Sequence, residues 1–243
     1  MYCNKSLIKK EKIMKQINIV SLLLLIQSFS ILGFTDNDQM LRYVKQFIPA
    51  NPTILEAGGN LGEDTRRMKR IWPHATMHVF EPLPWSFKTM IRNNSDLARV
   101  HYYEYALTNY IGITNFYVDI PNNGSSSIGL PLDFNRSEFD LTPLQIKCTT
   151  LDQWAQENNV DHIDFMWLDM ESHELYALKH ALNILPTIKA IFTEVAYEPV
   201  REGSALYPEL RAFLEANGFH EVWKCKHSHR FGDALFIKKE LLR

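Results

Sequence analysis

Cysteine is scarce: the 243 residues contain three, Cys3, Cys148 and Cys225, far apart and odd in number. They supply neither a disulfide framework nor the paired spacing of a zinc module, and they read as buried or incidental thiols. A basic excess is missing too. The formal charge is −2, so no Lys/Arg-rich face is available to neutralise phosphates, and a nucleic-acid partner is not expected. Internal repeats and low-complexity tracts are absent, which excludes solenoid and fibrous architectures. What remains is ordinary globular composition, 46% hydrophobic and 22% charged. The length suits one sizeable domain with an appendage.

Long apolar runs are also lacking, with one exception. Ile17 to Phe34 carries no charge, is preceded by Lys5, Lys9, Lys10, Lys12 and Lys15, and is followed by Asp36 and Asp38. Charged start, apolar stretch and the small residues Ser28 and Ser30 resemble a secretory signal, above all when read from Met14. About 18 apolar residues are also just enough for an anchor across a membrane, and the leading lysines would keep that end cytoplasmic. A soluble amphipathic helix capping the domain is the third reading. The expected division is residues 1–35 as a signal or anchor segment, with membrane association through it, and 36–243 as the globular domain.

From Thr53 onward, β-rich apolar runs alternate with helical patterns, the signature of an α/β sheet with helices on both faces. Strands are expected at Thr53–Ala57, Met77–Phe80, Val100–Leu107, Thr114–Asp119, His162–Met170 and Lys189–Val195. Helices are expected at Gly62–Ile71, Trp85–Asn93, Leu151–Asn158, Glu174–Leu185 and Pro208–Asn217. Residues 121–140, rich in Asn, Ser, Gly and Pro, read as a long surface loop of the kind that is functional or mobile. His220–Lys226 and Ala234–Lys238 lie too close for a parallel crossover, so the sheet ends in an antiparallel hairpin. A purely parallel dehydrogenase sheet would not.

Three constellations carry chemistry. Ile54–Thr65 reads ILEAGGNLGEDT: a strand delivers Glu56, and Gly58, Gly59 and Gly62 turn the chain into a helix. Glycine permits a ligand to approach the backbone closely. The dinucleotide pattern G-x-G-x-x-G is not met, and an acidic Glu56 would repel a pyrophosphate while suiting a cationic sulfonium amino acid. The bland alternative is a plain strand-to-helix turn. Glu81 ends the next strand, where a carboxylate can accept from both hydroxyls of a ribose; alone, it could equally be solvated decoration. In HIDFMWLDMESHE, Asp169 projects at the carboxyl end of the central strand, with Glu171, His173 and Glu174 at the following helix entry. Asp169, His173 or Glu171 could act on a bound ligand as a general base. Divalent-metal binding by this cluster is a weaker alternative, and favourable placement of Glu171 and Glu174 at a helix N-terminus is the bland one. Glu194 and Glu174 are candidate substrate contacts. Asp161, His162 and Asp164 belong at the opposite end of the strand. His227, His229 and Arg230 fall in the hairpin turn, exposed, and no metal site is assigned.

Together these motifs resemble the FkbM-type methyltransferase family over roughly Thr53 to Lys238. Its D-x-G-A-N-x-G motif with a later Thr is matched by Glu56, Gly58, Gly59, Asn60, Gly62 and Thr65; its acid-Pro strand end by Glu81-Pro82. Its T-T-L-D segment is matched by Thr149, Thr150, Leu151 and Asp152, and its D-x-E-G-x-E motif by Asp169, Glu171 and Glu174. Glu56 stands where Asp is usual, Gly59 replaces Ala, and Ser172 replaces the glycine after Glu171. The resemblance implies a class I methyltransferase Rossmann-like sheet that binds S-adenosylmethionine. Glu56, Gly58, Gly59, Asn60, Gly62, Thr65, Glu81 and Asp169 would hold the cofactor. The expected reaction is O-methylation of a hydroxyl on a sugar, glycan or other small molecule, wherever the methyl donor is available. The competing readings are a nicotinamide-dependent oxidoreductase and a non-catalytic binding or secreted protein retaining the fold.

Overall fold

The computed structural model describes residues 34, 36–119, 123–132 and 141–242. The apolar run at Ile17–Phe34, apart from Phe34 itself, lies outside the described residues, as does most of the proposed appendage. No helix among the described residues is long and apolar enough to cross a membrane.

A short helix, α1 (Asn37–Val44), opens the domain. Asp36 caps it, its carboxylate accepting from Gln39 N at 2.8 Å. Then follow β1 (Thr53–Ala57), α2 (Glu63–Ile71), β2 (Thr76–Phe80), α3 (Pro84–Asn93), β3 (Val100–Tyr103), β4 (Ala106–Leu107), β5 (Gly112–Asp119) and β6 (Leu141–Thr149). The chain continues through α4 (Leu151–Glu157), β7 (Phe165–Leu168), α5 (Glu174–Lys179), β8 (Ala190–Ala196), α6 (Tyr207–Ala216), β9 (Phe219–Lys226) and β10 (Phe231–Lys238).

Seven strands form the main sheet in the order β3-β2-β1-β7-β8-β10-β9. The first five are parallel, whereas β10 runs antiparallel between β8 and β9, as the short 227–230 connection requires. Alternate side chains enter opposite cores. Leu55, Phe80 and Met166 pack with Trp154, Leu178 and Leu214 of α4, α5 and α6. Ile54, Met77 and Phe165 pack with Met40, Met68 and Met90 of α1, α2 and α3. Covered on both faces, β1 and β7 are apolar along their buried lengths except for Glu56.

Several elements differ from expectation, among them the strand expected at His162–Met170, which spans Phe165–Leu168, and the unforeseen strand Leu141–Thr149. The run Val100–Leu107 is two strands, because at Glu104-Tyr105 the chain leaves the main sheet and β4 joins a second sheet, β4-β6-β5. The helix after Glu174 stops at Lys179, since the Asp152 carboxylate takes the N–H groups of Asn183 and Ile184 at 2.9 and 3.0 Å. The described part of the 121–140 loop is anchored: Tyr117 and Ser127 exchange backbone hydrogen bonds, and Leu132 N and Glu202 N donate to Val200 O and Leu130 O.

Candidate active site

Strand order reverses at β1, whose neighbours β2 and β7 lead away in opposite directions, leaving a crevice beyond their carboxyl ends. The glycine turn closes its floor. Gly58 (φ 91°) has no room for a side chain, since a Cβ would lie 1.8 Å from the Asp169 carbonyl. Gly62 (φ 89°) would bring one within 1.9 Å of Asn94 Nδ2. Both are therefore demanded by the protein's own packing and by positive φ, and not only by ligand approach. Gly58 N and Gly59 N donate to Phe80 O, tying the turn to β2.

The cleft encloses about 740 Å³ of empty space, its mouth included, and Gly58, Asn60, Glu81, Asp169, Glu171 and His173 line it. Phe80, Phe116 and Ile128 supply apolar wall. Glu56, Gly59, Gly62, Thr65, Glu174 and Glu194 stand outside that lining. Glu56 lies beneath the turn, 1% exposed, accepting from Thr65 Oγ1 at 2.6 Å; burial pushes its pKa well above the usual range.

Glu81 sits at the cleft wall with one oxygen taking Asn60 N and the other Leu83 N, each at 2.8 Å. The two N–H groups hold the carboxylate in orientation, and its remaining lone pairs are left for a ligand. Burial outweighs them and pushes its pKa up to about 7. Glu174 acts on the backbone instead. Its Oε1 accepts from Met170 N at 2.8 Å, folding the 170–173 loop back on the helix that follows. Burial raises it to about 7 as well.

That loop is tightly wound. Glu171 (φ 56°) and Ser172 (φ 74°) both occupy the left-handed region, which explains why glycine belongs at position 172 in the motif. Ser172 is buried, and its hydroxyl has no partner among the described residues. The turn presents Asp169, Glu171 and His173 to the cleft. Burial, then the Glu171 and Glu174 carboxylates, raise the Asp169 pKa, although its side chain is open to the cleft; it is enclosed by protein yet faces the void. His173 stacks on Tyr176 with ring centres 4.7 Å apart and lies 3.4 Å from Thr108 Oγ1. Burial lowers its pKa to about 4, keeping the imidazole neutral.

Behind this row lies Arg201, 3% exposed, a residue with no sequence signal beyond a lone arginine in a loop. Its Nη2 donates to Glu171 Oε2 at 3.0 Å and to the Ser125 carbonyl. Glu194 adds a third carboxylate: oxygens of Asp169, Glu171 and Glu194 lie within 4.8 Å of one another. Burial, followed by the Asp169 and Glu171 charges, pushes Glu194 up to about 11, and its Oε2 is buried without a hydrogen-bond partner among the described residues. Asp161 and Asp164 lie at the amino end of β7, where Asp164 accepts from Thr53 N and from Lys189 Nζ at 2.9 and 2.7 Å.

A parallel sheet closed by an antiparallel hairpin, with a glycine turn after β1 and an acid after β2, defines a Rossmann-like S-adenosylmethionine-dependent methyltransferase. The methyltransferase FkbM domain matches residues 56–221, and the chain belongs to that family. It is 29% identical over 178 residues to the 2-O-methyltransferase NoeI of Sinorhizobium fredii, covering 68% of this chain and 70% of that protein. It is 26% identical over 203 residues to the methyltransferase sdnD of Sordaria araneosa, covering 71% and 75%. The FkbM methyltransferase structure from Methylobacillus flagellatus shares the fold, with a TM-score of 0.51 at 13% identity over 91% of this chain and 60% of that one.

Proposed function

We propose that this methyltransferase acts on a hydroxyl group of a sugar or similar small polar molecule. The observation that carries the reading is the cleft itself, with an oriented carboxylate, Glu81, on one wall and Asp169 and His173 on the other. The similarity to a 2-O-methyltransferase favours oxygen as the acceptor atom.

The donor set suits S-adenosylmethionine. Glu81 would take its ribose hydroxyls, Gly58 and Asn60 would border its amino-acid end, and the carboxylates that line the cleft suit a positively charged ligand. Bound there, the cofactor supplies an activated methyl group on sulfonium sulfur. The protein's part is alignment, since displacement at carbon requires acceptor oxygen, methyl and sulfur in line. Asp169 accepts the hydroxyl proton as the oxygen attacks. Its raised pKa makes it a stronger base than an ordinary aspartate, whereas neutral His173 positions the acceptor.

The first test is thermal melting with S-adenosylmethionine, S-adenosylhomocysteine and NAD. Stabilisation by the first two, lost in Glu81→Ala, is expected; stabilisation by NAD alone would overturn the cofactor assignment. Transfer of labelled methyl to a panel of sugars, scored against phenols and carboxylates, tests the acceptor class.

A further inference from the structure

The hairpin that closes the sheet holds a second constellation, whose Asp233 lies opposite Glu194 across β10 and β8. Antiparallel pairing sets Asp233 opposite Cys225, and strand alternation returns His227, two residues on, to the same face. Cys225 Sγ lies 3.7 Å from His227 Nε2, which lies 2.6 Å from Asp233 Oδ2. Sulfur, nitrogen and oxygen fall within 4.8 Å of one another. The turn is fixed by His227 N and Ser228 N, both donating to Phe231 O.

A thiol, an imidazole and a carboxylate could also form a nucleophilic relay. That arrangement needs the carboxylate on one ring nitrogen and the thiol on the other. Here both converge on Nε2, which rules out the relay. Three different donors within 4.8 Å of one another can instead serve one coordination site. We infer that Cys225, His227 and Asp233 bind a divalent transition-metal ion of the zinc class, with solvent completing the set.

The dimensions agree. Tetrahedral bonds of about 2.3 Å to sulfur and about 2.0 Å to nitrogen place those atoms roughly 3.5 Å apart, close to the 3.7 Å observed. The nitrogen–oxygen edge would be about 3.3 Å, so the ion replaces the His227–Asp233 hydrogen bond of 2.6 Å and spreads the pair by about 0.7 Å. On uptake the proton shared by His227 Nε2 and Asp233 Oδ2 moves to Nδ1 or to solvent, leaving a neutral imidazole protonated on Nδ1, and the Cys225 thiol loses its own proton to solvent. Mixed sulfur and nitrogen donors select zinc, cobalt or copper over magnesium and calcium, which demand oxygen. Because a protonated thiol must give up its proton to bind, uptake weakens as pH falls.

The test titrates the metal-free full chain with Co²⁺ and reads the near-ultraviolet thiolate-to-cobalt charge-transfer band, with Zn²⁺ as competitor. One equivalent is expected to bind with that band. The band should vanish in Cys225→Ser, persist in Cys148→Ser, and need at least about tenfold more Co²⁺ in His227→Ala. Because His227 is exposed, its removal keeps the test valid should Cys225→Ser fail to fold. No band, or a band that survives Cys225→Ser or is unmoved by His227→Ala, would overturn the assignment. S-adenosylmethionine-induced stabilisation should be the same in all folded variants, so this result stands apart from the methyltransferase reading.

Discussion

Restoring the motif's glycine, Ser172→Gly, should stabilise the protein. Ser172 sits at φ 74°, a region that costs an L-residue about 1–2 kcal/mol. Its buried hydroxyl lacks a partner among the described residues, a further penalty of about 1 kcal/mol. Against this, glycine adds unfolded-state entropy worth about 0.5–1 kcal/mol, and loss of the hydroxymethyl group leaves a small void costing about 0.5 kcal/mol. The net gain is about 1 kcal/mol, or roughly 2–4 °C in Tm for a domain of this size. Scanning calorimetry of Ser172→Gly beside Ser172→Ala separates the two contributions, because alanine removes the hydroxyl and keeps the backbone penalty. Glycine should exceed alanine. An equal or lower Tm for the glycine variant would refute the argument from backbone strain. Methyl transfer should be retained in Ser172→Gly, since the turn that presents Glu171 and His173 is the one glycine prefers.

Asp169→Asn should lower kcat by about 10²–10⁴ while leaving S-adenosylhomocysteine binding, read by calorimetry, largely intact. A base must be unprotonated, so wild-type activity should fall as pH drops through a value well above the usual aspartate range, and a flat profile across that range would contradict the assignment. Glu174→Gln keeps an acceptor for Met170 N but removes a carboxyl whose folded pKa is raised to about 7. A raised folded pKa means the native state binds the proton more tightly, so this stabilisation is present at low pH and lost as pH rises from about 4.5 to about 7. Relative to wild type, the variant should therefore gain on the order of 3 kcal/mol between pH 4.5 and 8, measured by urea denaturation. Arg201→Met should destabilise by about 3 kcal/mol by stranding a buried carboxylate, and Glu171→Gln on top should recover part of that loss in a double-mutant cycle.

The sheet was legible because its strands are short apolar runs punctuated by Gly and Pro, and because the tight spacing before Phe231 admits only an antiparallel return. The crevice residues were legible because strand ends place them: Gly58, Glu81 and Asp169 each lie just past a strand. Arg201 was not, because its partners are Glu171 and Ser125, 30 and 76 residues away, and no local period marks such a pairing. Nor could spacing divide Glu56 from Glu81. Both are acids at the ends of adjacent strands, yet Glu56 turns under the glycine bend onto Thr65, a consequence of which face of β1 it occupies.

Asp169, Glu171, Glu194 and His173 have unequal claims on the role of base, and their surroundings rank them. Glu171 is bound to Arg201 at 3.0 Å; taking a proton would break a charge-assisted bond worth about 1.5–3 kcal/mol. Glu194, raised by burial and by the Asp169 and Glu171 charges, stands outside the cleft lining and is set back from a bound acceptor. His173, lowered to about 4, resists becoming charged. Asp169 faces the void; burial raises its pKa first, and the charged neighbours that add to the rise are carboxylates rather than a pairing cation. Burial and the mutual repulsion of these carboxylates raise their pKa values, and a cationic methyl donor bound beside them would relieve that repulsion.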